Sequence, residues 1–102
     1  MLPSYLTFTQ NPAETLLKTL KELAPDKVAI LVDENTREHC LPKCALELDV
    51  IEIKSGESEK NLQTCEFIWK KMTRLELTRN SILINLGGGV IGDMGGFAAS
   101  TY

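Results

Sequence analysis

Three successive glycines, Gly87, Gly88 and Gly89, set between an apolar run and a stretch of helical pattern, limit what this chain can fold into more than any other feature. The run before them, Ser81-Ile82-Leu83-Ile84-Asn85-Leu86, is short and rich in β-branched residues, which predicts a buried strand. Glycine can take positive φ and carries no Cβ, so the backbone can turn sharply there and approach a ligand at van der Waals distance. From Val90 the pattern predicts a helix whose first N–H groups aim back at the loop. Such a junction seats an anion, and the helix dipole alone favours a phosphate by about 0.3–1 kcal/mol. Gly87, Gly89 and Gly92 also satisfy G-x-G-x-x-G, but glycine-rich runs meet that spacing easily. The motif is not on the first strand, and its customary acidic partner about 20 residues on would fall past Tyr102. Residue types alone leave phosphate binding evenly matched with a tight turn that holds nothing.

Upstream, residues 4–8 (SYLTF) predict an edge strand stopped by Asn11-Pro12. Asn11 fits an N-cap with Pro12 at the first helical position and Glu14 following. Leu16, Leu17, Leu20 and Leu23 then form an inward stripe, Lys18, Lys21 and Glu22 face out, and Pro25-Asp26 ends the helix. Residues 27–32 (KVAILV) predict a strand covered on both faces, with Asp33-Glu34-Asn35 as its C-terminal loop. Residues 36–45 suggest a weaker helix interrupted by Pro42, and residues 48–53 a less buried strand. After a loop at 55–58, Ser58 or a neighbour caps a helix reaching about Leu75, with Leu62, Cys65, Ile68, Trp69 and Met72 inward and Lys60, Lys70, Lys71 and Arg74 in water. Trp69 is expected in the core, not on a cofactor.

This alternation predicts an α/β fold, a Rossmann-like, mostly parallel sheet with flanking helices. In such sheets ligands gather beyond the carboxyl ends of the strands, where the loops at 33–35, 55–60 and 87–93 would converge. Asp33 and Asn35 suit the hydroxyls of a ribose, or equally a pair of loop-capping side chains. Glu57 and Lys60 could serve a ribose and a pyrophosphate, or form a solvated pair. Asp93 could accept hydrogen bonds from a ligand or act as a capping charge.

The 102 residues, 43% of them hydrophobic, suit one domain with a modest core. A net charge of −3 with both signs interspersed offers no basic stripe, which predicts no nucleic-acid or membrane partner. The N-terminus lacks a basic, apolar leader, and no run of about 18 apolar residues occurs, so a soluble cytoplasmic protein is expected. Cys40, Cys44 and Cys65 are expected as reduced thiols. His39-Cys40 with Cys44 makes a poor metal cluster, because adjacent ligands diverge and a structural zinc needs four. No Ser/His/Asp or Cys/His catalytic set stands out.

The glycine-rich stretch GGGVIGDMGGFAASTY resembles the corresponding segment of the 3-dehydroquinate synthases. GESEKNLQTCEFIW resembles their G-E-x-x-K…T…I-W segment, and Val32-Asp33-Glu34-Asn35 their V-x-D-x-N segment. The resemblance implies the N-terminal part of a dehydroquinate-synthase-like fold, in which Asp33, Asn35, Glu57, Lys60, Gly88, Gly89, Val90 and Asp93 line an NAD site. Gly92, last of the spaced glycines, joins them. Ser55 stands where many members carry an acidic residue, and Gly96 where alanine or glycine is met. It further implies a homodimeric shikimate-pathway enzyme acting on a phosphorylated sugar acid, with catalytic NAD and a divalent metal, zinc or cobalt. No catalytic or metal-ligating residue of that family matches a position here; those lie after Tyr102. Other sugar-phosphate cyclases, metal-dependent polyol dehydrogenases and a catalytically empty nucleotide-binding or interaction domain are the alternatives.

Glycines inside a helix cost about 1 kcal/mol each against alanine, so a helix that keeps Gly92, Gly95 and Gly96 is expected to pack closely on something. Within this sequence no such partner is evident, which suggests a fragment of a longer protein that alone is marginally stable or borrows burial from a partner copy. A reversible, monomeric, cooperative melt at mesophilic temperatures would contradict that expectation.

Overall fold

The apolar runs become strands β1 (Ser4–Phe8), β2 (Val28–Asp33), β3 (Asp49–Ile53) and β4 (Ile82–Leu86). A computed structural model of the chain describes residues 4–8, 18, 21–44 and 48–102. The strands form one sheet in the order β1-β4-β2-β3, and every neighbouring pair is parallel. All four carboxyl ends therefore lie on one edge. Helices α1 (Glu34–His39), α2 (Leu62–Arg74) and α3 (Gly89–Thr101) follow β2, β3 and β4. Lys18 and residues 21–23 are helical, while the cap at Asn11 and most of the leucine stripe lie outside the described residues.

Strand residues alternate between two faces, and both faces are covered, which is why β2 reads as an unbroken apolar run. Ala29, Leu31, Ile51 and Leu83 pack with Cys65, Ile68 and Met72 of α2 and Ile91, Met94 and Ala98 of α3. Ile30, Val32, Ile82, Ile84 and Leu86 pack on the other face, under Cys40, Leu41 and Leu48. Burying each such Leu or Ile contributes about 1.5–3 kcal/mol. The chain leaving β2 thus returns over one face while α3, leaving β4, lies on the other. In open α/β sheets the ends of two such adjacent strands are where a ligand crevice is expected.

Several local expectations change. The segment after β2 is not a loop: Asp33 ends the strand and caps α1 directly. Asn61, not Ser58, caps α2, its side chain accepting from the Thr64 amide at 2.8 Å. Leu62 lies to the side of the Cys65, Ile68 and Met72 stripe and is 73% exposed, while Thr64 is buried. Leu23 is likewise exposed. Trp69 packs against the core as expected, and its indole N–H donates to the Ala98 carbonyl at 3.0 Å, tying α2 to α3.

One of the glycines of α3, Gly95, finds its partner within the chain. A Cβ on Gly95 would land on the carboxamide of the fully buried Asn85 of β4, so the missing side chain lets helix and strand touch. Replacing Gly95 with alanine forces that pair apart. Despite the gain of about 1 kcal/mol in helix propensity, it should destabilise the chain by about 1–3 kcal/mol in chemical denaturation. An unchanged midpoint would show that α3 does not rest on Asn85.

Candidate functional site

The close seating of α3 on β4 places the first turn of the helix at the carboxyl edge of the sheet. Gly87 to Gly89 divide two tasks there. A Cβ on Gly87 would come within 2.7 Å of the Ile91 side chain, so this glycine serves packing. On Gly88 or Gly89 a Cβ would meet nothing within 4 Å, so these two front open space. Neither task requires positive φ: among the described glycines only Gly56 has it, at 111°. Gly88 is the N-cap, at φ −84° and ψ −155°, and accepts the first helical bond from the Gly92 amide at 3.0 Å. The amides of Gly89, Val90 and Ile91 precede that bond and belong to the turn that has no helical acceptor. Gly92 therefore contributes a slender first turn, not a donor, and Val90 packs partly against the core.

Asp93 lies one turn further in, so it is no cap. Its partner is Lys60, whose ammonium sits 2.7 Å from Asp93 Oδ2 and 3.7 Å from Glu57 Oε2. The hydrogen bond from Lys60 to Asp93, then the charges of Asp93 and Glu57, hold the lysine above its ordinary pKa. Lys60 therefore stays charged throughout the neutral range, and on the basic side the pair is lost as pH rises through that raised value.

On the opposite bank, Asp33 Oδ1 accepts from the amides of Asn35 and Thr36, each at 2.9 Å, and Thr36 Oγ1 accepts from the Asp33 amide at 3.0 Å. This is a capping box, which leaves the second carboxylate oxygen outside the cap. Asn35 is exposed at the same turn. Leu31 is level with Asn85 in the sheet, so Asp33 and the glycine turn leave β2 and β4 side by side.

Sequence patterns gave no role to Glu34. Its carboxylate accepts from the Ser55 amide at 2.9 Å and the Ser55 hydroxyl at 2.5 Å, joining the start of α1 to the segment after β3. Only an acidic residue in the first turn of α1 and a hydroxyl beside Gly56 hinted at it. The 33–35 and 55–60 segments thus meet through Glu34 and Ser55, and the 55–60 and 87–93 segments through Lys60 and Asp93. No described contact joins Asp33 directly to Gly88.

Among the described residues, no three His, Cys, Asp or Glu side chains gather to hold a metal, and no helix is long and apolar enough to cross a membrane. A broad hollow of about 650 Å³, lined by residues 25–28, Leu41 and residues 48–50, lies at the other end of the strands. Among the described residues no α-helix begins at it, whereas α3 begins at the glycine edge, so the chemistry favours that edge.

Residues 50–102 match the family model described as 3-dehydroquinate synthase N-terminal. The chain is 38% identical over 96 residues to the 3-dehydroquinate synthase of Clostridium beijerinckii, covering 87% of this chain and 27% of that protein. It is 41% identical over 93 residues to that of Pyrococcus furiosus, covering 86% and 28%, and 40% identical over 95 residues to that of Thermococcus kodakarensis, covering 90% and 28%. The chain thus spans little more than a quarter of the length of these relatives. Its fold is that of 2-deoxy-scyllo-inosose synthase, with a TM-score of 0.76 at 18% identity, over 94% of this chain and 28% of the one crystallised with carbaglucose-6-phosphate, NAD+ and Co2+.

Hydrogen bonds from the Ser55 side chain foremost, then from backbone amides, hold the Glu34 carboxyl below its ordinary pKa. A group lowered in this way adds stability above its unfolded value and loses it as pH falls through the folded one. Followed by NMR, the Glu34 carboxyl carbon should titrate below the usual glutamate midpoint, and Ser55→Ala should move it upward. A midpoint indifferent to Ser55→Ala would contradict the contact.

Proposed function

The chain belongs to the 3-dehydroquinate synthase family, and from that premise we propose that it is the NAD-binding portion of an enzyme converting 3-deoxy-D-arabino-heptulosonate 7-phosphate to 3-dehydroquinate and phosphate. The observation that carries the proposal is the open front of Gly88 and Gly89 before the first turn of α3, beside the carboxyl ends of β2 and β4. A diphosphate needs donors without obstructing side chains, and the glycine cradle fits that need. NAD, when bound, supplies a reversible hydride acceptor for a substrate hydroxyl. What this chain does is hold and orient it.

In that role the amides of Gly89 and Val90 face the diphosphate, Gly88 keeps the approach clear, and Gly92 keeps the turn slender. Lys60 brings the cation, which Asp93 and Glu57 aim. The outer oxygen of Asp33, with Asn35 and Glu57, serves ribose hydroxyls. The metal expected of the family finds no cluster among the described residues, so none of these roles involves it. The same proposal takes the enzyme to be a cytoplasmic homodimer acting on a phosphorylated sugar acid.

Titration with NAD and a phosphate-release assay test this. Synthase chemistry predicts NAD binding and phosphate release from the heptulosonate without net NADH, whereas alcohol-dependent NADH accumulation would point to a dehydrogenase and absence of NAD binding to an empty domain. Gly88→Ala separates site from scaffold. Its backbone suits alanine, and the chain-entropy gain of about 0.4–1 kcal/mol offsets the poorer N-cap, so stability should change little. A methyl in the cradle should nevertheless raise the Kd for NAD by about tenfold or more. Unchanged affinity would remove the cradle from the site.

A further inference from the structure

Glu34 and Ser55 make none of the cofactor contacts proposed above, yet they join two parts of the rim. Between β3 and α2 the chain has little regular structure of its own beyond a three-residue 3-10 turn, Glu57–Glu59. Its far end is held where Lys60 meets Asp93. Its near end is held by the two bonds that Ser55 donates to Glu34, 21 positions earlier. Directly after Ser55 comes Gly56 at φ 111°, a conformation that side-chain-bearing residues rarely adopt, so the direction in which Glu57 and Lys60 depart is set at this point. A glycine pivot released at one end leaves a segment that a ligand must order on binding, which weakens affinity without altering a single ligand contact.

We propose that Glu34 is a positioning residue for dinucleotide recognition: by gripping Ser55 it fixes the exit of the Gly56 turn, so that Glu57 and Lys60 stand as a preset wall of the crevice. This rests on the NAD reading of the same site. Glu34 touches no cofactor in this account and acts only through Ser55. Glu34 and Ser55 are on the surface side of the rim, so loss of their link should alter the wall more than the core.

Calorimetric titration of the full chain with NAD, alongside thermal melts, tests the proposal on the wild type, Glu34→Ala, Glu34→Gln, Ser55→Ala and the double variant Glu34→Ala/Ser55→Ala. Glu34→Ala should raise the Kd about tenfold with little change in melting temperature. Glu34→Gln should recover most of the affinity, because its amide oxygen still accepts from Ser55. Ser55→Ala should weaken binding in the wild type but add nothing in the Glu34→Ala background. Equal affinity of Glu34→Ala and wild type, additive effects in the double variant, or failure of glutamine to rescue would overturn the positioning role while leaving NAD binding intact. If Glu34→Ala does not fold, Ser55→Ala decides: weaker binding at unchanged melting temperature supports the role, unchanged binding refutes it. Absence of NAD binding by the wild type would instead sink the cofactor reading and this inference with it.

Discussion

The arrangement of the site depends on how closely α3 lies on β4. Two side chains that are not there set that distance. The bare Cα of Gly95 admits the Asn85 carboxamide, and the bare Cα of Gly87 admits Ile91. With a methyl at either place the helix would stand off from the strand, and its first turn would no longer meet the carboxyl edge of the sheet. Packing in the core and access at the rim therefore follow from the same few glycines. They act in opposite senses, since Gly87 and Gly95 are filled against their neighbours while Gly88 and Gly89 face open space.

Around this rigid junction the polar contacts carry orientation more than stability. Lys60 with Asp93 and Glu34 with Ser55 lie at the surface, where such pairs contribute little to folding. Each joins segments far apart in sequence, and together they string the ends of β2, β3 and β4 along one rim. Asp33 spends one carboxylate oxygen on structure: Oδ1 stabilises the start of α1, and the other oxygen is outside the cap.

Much of the fold was legible because period and burial coincide. The apolar runs at β2 and β4 are covered on both faces, and the Cys65, Ile68 and Met72 stripe faces the sheet as its spacing predicts. The misses have local causes. Ser58 and Asn61 are both competent caps, and the chain uses Asn61; Leu62, in the first turn of α2, stands to the side of the stripe and is exposed. The triple glycine suggested positive φ, whereas the cause is space, a property of neighbours distant in sequence. Asn85 reads as one polar residue in an apolar strand, with nothing local to pair it with Gly95. For the site, the three segments were placed on one rim by the α/β pattern, yet their links were not foreseeable: the Lys60 to Asp93 bridge spans 33 positions of sequence, and Glu34 carries no motif.

The central claim is that peptide donors at the start of α3, framed by Asp33 and Lys60, receive the diphosphate of NAD. Amide chemical-shift mapping during an NAD titration tests it most directly. The account predicts the largest saturable changes at Gly88, Gly89 and Val90, with smaller ones at Asp33, Asn35 and Lys60. Changes confined to the hollow around Val28, Leu41 and Leu48, or no saturable change at the glycine turn, would contradict it.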